Sequence, residues 1–183
     1  PFDAQFAVYG QVVGEDEDKF LPNALMLLYG MEGWMFWQES SLRFFAEYAD
    51  LTSYWWNGAT KTRNVTYGHH IYRDGYRFRG RALGHWADQD SQVLTVGSFL
   101  QKEDGVGWGV TLRIGDLNED GTGRNPFSDR ISTDYSSFDI YNSRKISPYG
   151  LEVYASMGWE SLQTTGGQKD DGLSGFVSLT RIF

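Results

Sequence analysis

Tyr149-Gly-Leu-Glu-Val-Tyr-Ala-Ser-Met-Gly-Trp-Glu160 alternates along its length. Its odd positions are Tyr149, Leu151, Val153, Ala155, Met157 and Trp159; its even positions are Gly150, Glu152, Tyr154, Ser156, Gly158 and Glu160. Successive side chains of a β-strand point to opposite faces. One face here is therefore apolar, with an aromatic at each end, and the other is mostly small, polar or acidic.

The same plan recurs outward from this stretch. In 106–114 the even face is Val106, Trp108, Val110, Leu112 and Ile114, opposite Gly107, Gly109, Thr111 and Arg113. In 42–51 Leu42, Phe44, Ala46 and Tyr48 oppose Arg43, Phe45, Glu47 and Ala49. In 76–86 Tyr76, Phe78, Gly80, Ala82, Gly84 and Trp86 oppose Arg77, Arg79, Arg81 and His85. A helical period fits none of these. Weaker alternation covers 4–13, 24–34, 66–72, 91–101, 135–144 and 174–183. The expectation is an all-β chain of about ten antiparallel strands, most of them near the length that a tilted membrane strand needs.

Composition agrees. Aromatics make up 16% of the 183 residues, glycine 22 and proline only 4, a mixture suited to pleated, half-buried surfaces. Mean hydropathy is −0.46 and no long apolar run occurs, which excludes a transmembrane helix but not a transmembrane barrel of half-apolar strands. A net charge of −8 argues against nucleic acid as a partner, because phosphate binding needs a basic surface. The absence of cysteine excludes disulfides and thiolate metal sites. A soluble β-sandwich also alternates, but its strands are shorter and it rarely leaves so many Trp and Leu facing outward.

The connections sort into two sets. Those at 35–41, 73–75, 102–105 and 145–148 are short, and Asp74-Gly75 suits a tight primed turn. Those at 14–23, 52–65, 115–134 and 161–173 are longer and polar, with 87–90 the short exception. Short turns on one side and long loops on the other is the outer-membrane arrangement, the short turns being periplasmic. The chain finishes on Phe183, with Val177 and Leu179 on one alternating face and Arg181 interrupting it near a membrane boundary, where a long side chain can snorkel. No signal peptide is visible after Pro1, so either it was removed or the chain begins inside a larger protein; the second is favoured.

Three stretches resemble the capsule-assembly Wzi family. They are Tyr67-Gly-His-His-Ile-Tyr-Arg-Asp-Gly-Tyr-Arg-Phe-Arg-Gly-Arg-Ala-Leu-Gly-His85 with Asp88 and Asp90-Ser91, Tyr9-Gly-Gln-Val-Val-Gly-Glu-Asp-Glu17 with Leu21-Pro22, and Phe44-Phe-Ala-Glu-Tyr-Ala-Asp50. The first is the most specific. The resemblance implies a C-terminal half to two-thirds of a Gram-negative outer-membrane barrel of about eighteen strands. All of 1–183 is then one barrel domain or the C-terminal part of one. It further implies a monomeric surface lectin for capsular polysaccharide, in contact with outer-membrane lipid, with no cofactor and no enzymatic activity.

Several side chains are candidates for that chemistry. Tyr54, Trp55, Trp56 and Asn57 fall in an expected external loop, where rings stack on sugar C–H faces and polar groups bind hydroxyls. Their alternative role is packing or an interfacial girdle. Arg77, Arg79 and Arg81 form an expected basic ladder in the lumen, either an ion-pair network with Glu32, Glu47, Asp139, Glu152 and Glu160 or an attractor of anionic polymer. Acidic runs at 14–23 and 115–134 could hold Ca²⁺, but the first has no EF-hand spacing and the second has Phe127 where the closing acid belongs. No metal ligand set is therefore assigned. His69, His70 and His85 could serve a hydrolase, but no serine stands in a nucleophile context. A porin with an arginine-lined lumen is the main rival reading.

Overall fold

The computed structural model describes residues 3–18, 20–54, 64–68, 71, 75–123, 125–128, 130–146 and 149–181. Among them β1 (Asp3–Asp18), β2 (Leu21–Trp37), β3 (Ser40–Tyr54), β6 (Gln92–Lys102), β7 (Val106–Leu117), β8 (Thr133–Ile146), β9 (Leu151–Thr164) and β10 (Lys169–Arg181) form one sheet in the order β1-β2-β3-β6-β7-β8-β9-β10. Each pairs antiparallel with its neighbour. Two-residue strands β4 (Arg77–Phe78) and β5 (Arg81–Ala82) form a separate hairpin. No described helix is long and apolar enough to cross a membrane.

Register assigns every side chain to a face. One row runs Val8, Met31, Ala46, Val96, Leu112, Phe138, Trp159 and Leu173 across all eight strands. It is apolar throughout and lies on the outside of the sheet. Trp108, Val110, Ile114 and Met157 share that face and are exposed. The belt closes on the long-loop side in a polar row, Asp50, Gln92, Asp116, Asp134, Gln163 and Lys169. On the opposite side Ser40, Lys102 and Arg144 mark its limit over the central strands.

The belt is oblique to the register. Its middle is Val8 in β1 but Val177 in β10, whereas the register row from Val8 reaches Leu173. An apolar band that must lie flat in a membrane can drift along the rows only if the strands are tilted, as barrel closure requires.

Two expected strands are corrected. Segment 76–86 is not a wall strand: Arg79 (φ 51) and Gly80 (φ 82) turn the chain back, Arg77 pairs with Ala82, and Phe78 pairs with Arg81. Positive φ at both central residues is the primed hairpin turn. Paired residues share a face, so the turn inverts parity: Arg77 and Ala82 lie on one face and Phe78 and Arg81 on the other, and the arginines do not form a same-face row. The described residues of 66–72 form turns and a bend rather than a strand. Two expected long loops are shorter than read, because β1 and β2 run to Asp18 and from Leu21, and β9 and β10 run to Thr164 and from Lys169.

The described dry core lies on the other face of the sheet. Met26, Leu51, Val93, Leu117 and Tyr135 point inward at the long-loop end and meet Ala87, with Tyr67, Trp86 and Leu162 packed against them. Thus the described residues between β3 and β6 fold over the inner wall as a plug. Trp86 meets Tyr135 at 5.1 Å and Phe127 edge-on at 5.6 Å between ring centroids.

Candidate functional site

The plug is assembled from residues that seek partners across loops. Leu51 N–H donates to Ser91 O at 2.8 Å and Asp90 N–H to Leu51 O at 3.2 Å, tying its end to β3. Asn125 Nδ2 donates to Ala87 O at 2.7 Å, and Asn118 Nδ2 to Ser128 O at 2.9 Å. Asn64 Nδ2 reaches Asp120 and Thr122 at 3.0 and 2.8 Å. These amides and carboxylates bind the connections before β6 and after β7 into one body. Gly75 is required within it: its φ is 54, and a Cβ there would lie 2.2 Å from Tyr67 O.

Arg77 is the plug's ionic anchor. Both terminal nitrogens donate to the Asp88 carboxylate, and one also reaches Gln89 Oε1 at 3.0 Å. The Asp88 side chain is fully buried and that of Arg77 is 13% exposed. Arg79 lies over the Phe78 ring at 5.3 Å, and both Arg79 and Arg81 are exposed. The expected wall ladder is thereby replaced by one buried anchor and two surface cations. Three of the five acids expected to face it have other partners: Glu32 binds Arg43, Asp139 accepts from Arg113 at 2.6 Å, and Glu47 accepts from Tyr9 at 3.0 Å.

His85 stands where plug and wall meet, beside a cavity of about 560 Å³ that also involves Tyr67, Tyr76, Met26 and Leu51. Its backbone N–H donates to Tyr67 Oη at 2.9 Å, and its Nδ1 accepts from Ala87 N–H at 3.3 Å. Burial holds the imidazole below its ordinary value of 6.5, while the Glu47 carboxylate acts in the opposite direction. A base whose value is depressed on docking takes up its proton more readily when undocked. Docking is therefore strongest above 6.5 and weakens as pH falls through that value toward the depressed one. Once the intrinsic pH dependence of exchange is divided out, amide protection in 76–90 is expected to fall as pH drops through 6.5, and His85→Asn to flatten that dependence. A wild-type profile already flat through that value would refute it.

Tyr54 closes β3 beyond an irregularity in the β2–β3 register, where Leu27 pairs with Asp50 but Leu25 with Tyr54. The extra residues turn Leu51, Thr52 and Ser53 into buried positions and bring Tyr54 to the long-loop rim. Trp55, Trp56 and Asn57 lie outside the described residues, as do His69, His70, Asp74 and Phe183. Among the described residues no three Asp, Glu or His side chains converge on a metal position. Asp120 instead accepts from Thr122 N–H at 3.0 Å, and Asp116 and Asp134 are strand residues facing each other in register.

Sequence reasoning missed an aromatic tract on the inner wall. Phe99 and Tyr141 stack at 5.9 Å, Tyr141 and Tyr154 at 6.0 Å, and Tyr154 meets Phe176 at 6.2 Å. The signal was present as rings on the otherwise polar parity, such as Tyr154 and Phe45. It is weak until register brings separate strands together.

This arrangement of antiparallel strands has a counterpart among known proteins. The family model for capsule assembly protein Wzi matches residues 1–169. The chain belongs to the Wzi capsule-assembly family. A solved structure described as Wzi, an outer-membrane protein involved in group 1 capsule assembly in Escherichia coli and a carbohydrate-binding β-barrel, superposes with a TM-score of 0.75. Identity to it is 24%, and the match covers 97% of this chain and 38% of that one. This Wzi-family chain thus has the fold of a barrel arc and spans little more than a third of that relative. No curated protein sequence matches it. Family and outward belt together place it in a Gram-negative outer membrane.

Proposed function

We propose that this Wzi-family chain supplies part of a non-enzymatic, monomeric surface lectin that holds capsular polysaccharide on the cell during capsule assembly. The observation that carries the reading is the plug. Met26, Leu51, Ala87, Val93, Leu117 and Tyr135 bury a dry core against the inner wall at the long-loop end. A diffusion channel keeps that path wet, so a plugged barrel is better suited to presenting loops than to passing solutes. Family membership supports a role in capsule assembly. The carbohydrate-binding description of the similar Escherichia coli barrel supports sugar as the partner.

In this reading Tyr54, Trp55, Trp56 and Asn57 lie at the external rim and contact the polymer. Aromatic faces take up sugar C–H surfaces, and the amide binds hydroxyls. The barrel outside sits in lipid and does no chemistry on the glycan.

Replacing Trp55 and Trp56 together by Ala is expected to release most cell-bound capsule into the medium. Heat-modifiable gel migration should remain unchanged, showing that the barrel still assembles. Retention equal to wild type with an assembled barrel would remove these residues from the site. A large anion-selective conductance of the wild-type protein in planar bilayers would favour the channel instead.

A further inference from the structure

The inner wall carries a second aromatic surface, near the short-turn end. One register row crosses all eight strands there: Gln5, Trp34, Arg43, Phe99, Gly109, Tyr141, Ser156 and Phe176. Tyr154, from the next row, joins it by stacking on Tyr141. The plug core lies at the other end. Phe99 and the core residue Val93 are separated by six positions of β6, roughly 20 Å at the rise of an extended strand.

The rings are held flat against the wall. A Cβ on Gly109 would lie 2.0 Å from the Tyr141 ring, and one on Gly107 would lie 3.1 Å from Phe99. Glycine at these places lets each ring lie over the neighbouring strand and turn its other face to the interior. Phe99 and Tyr141 are nearly parallel, at 18° between ring planes. The result is a paved strip rather than isolated aromatics.

Polar groups border the strip. A cavity of about 370 Å³ is lined by Arg43, Phe45, Phe99, Tyr141, Glu152 and Tyr154, among others. The Arg43 charge is balanced by Glu32, and Glu152 faces Lys145 in register. Flat apolar faces edged by directional donors and acceptors are what a pyranose needs. Balanced charge at the edge favours an uncharged sugar over an acidic one.

We propose that Phe99, Tyr141 and Tyr154, edged by Arg43 and Glu152, form a saccharide subsite on the inner wall that takes a neutral pyranose segment. The sugar stacks on the rings and exchanges hydroxyl hydrogen bonds with the guanidinium and carboxylate. The inference rests on the barrel reading but not on the external aromatic loop.

The test uses the intact protein from outer membranes, in a detergent without a sugar headgroup, with maltoheptaose as probe. Titration calorimetry should show binding that Tyr141→Ala weakens about tenfold, the scale of losing one stacking surface. Tyr141→Phe should stay within about twofold, since the ring persists. Tyr141→Ala should still weaken binding about tenfold when made on a Trp55→Ala, Trp56→Ala background, which removes the external loop's contribution and separates failure here from failure of the surface-lectin reading. A photo-reactive benzoylphenylalanine at 141 should form adducts with the glycan. Absence of maltoheptaose binding, wild-type affinity in Tyr141→Ala, or equal affinity for an acidic uronate oligomer would overturn the proposal. So would an adduct formed with another segment of the same protein in place of the sugar.

Discussion

Arg77→Ala is expected to undock the plug while leaving the wall intact. The substitution strands the Asp88 carboxylate, fully buried, with the Gln89 N–H still donating to it at 2.6 Å. Removing one partner of a buried ion pair costs on the order of 3–5 kcal/mol, because the other charge stays desolvated and uncompensated. That corresponds to amide exchange in 76–90 faster by about two to four orders of magnitude, if exchange follows local opening. Strand amides of β6 to β9 should keep their protection, since their ladders do not pass through Asp88. Adding Asp88→Asn should recover much of the loss by removing the buried charge while retaining an acceptor for Gln89 N–H. Unchanged exchange in Arg77→Ala would mean that the plug is held by its apolar contacts and amide network alone. Exchange rising equally throughout the sheet would mean that plug and wall unfold as one unit.

The sequence made the wall legible and the plug nearly invisible. Alternation located β3, β7 and β9 because each strand is sorted between lipid and an aqueous interior, and that sorting acts on neighbouring positions of one segment. Val106, Trp108, Val110, Leu112 and Ile114 carry the signal without reference to any other strand. Arg77, Arg79 and Arg81 carry an equally clean alternation, yet Arg79 and Gly80 form a turn and Arg77 faces Asp88. The two-residue turn sends Arg77 and Arg81 to opposite faces, but the letters of the sequence still alternate across it, so period alone does not separate a long strand from a short hairpin. The plug depends on contacts between distant segments, such as Asn125 with Ala87 and Trp86 with Phe127. The inner aromatic strip was hidden for a related reason. Its rings come from β6, β8, β9 and β10, and one ring on each polar face looks incidental until register aligns them.

The sorting itself yields the other large prediction. Val110 is the middle residue of the outward row of β7, with Trp108 and Leu112 on either side along the strand and Ser98 and Ile140 across it. Thr111 is its immediate neighbour and faces inward, opposite Gly97 and Asp139. If the outward row lies in hydrocarbon, Val110→Arg puts a cation near the membrane midplane, at a cost of about 2–4 kcal/mol. The fraction that folds into lipid vesicles, read by heat-modifiable migration after urea titration, should fall and its midpoint should move to lower urea. Thr111→Lys places a charge one residue away on the aqueous face beside an acid, and should shift the midpoint little. The contrast is what matters: both substitutions introduce a long cation into the same strand, so general intolerance of β7 would affect them alike. A soluble sheet would reverse the order, because an exposed Val110 in water accepts arginine readily. Equal or reversed effects would therefore remove the membrane from this description of the outward face.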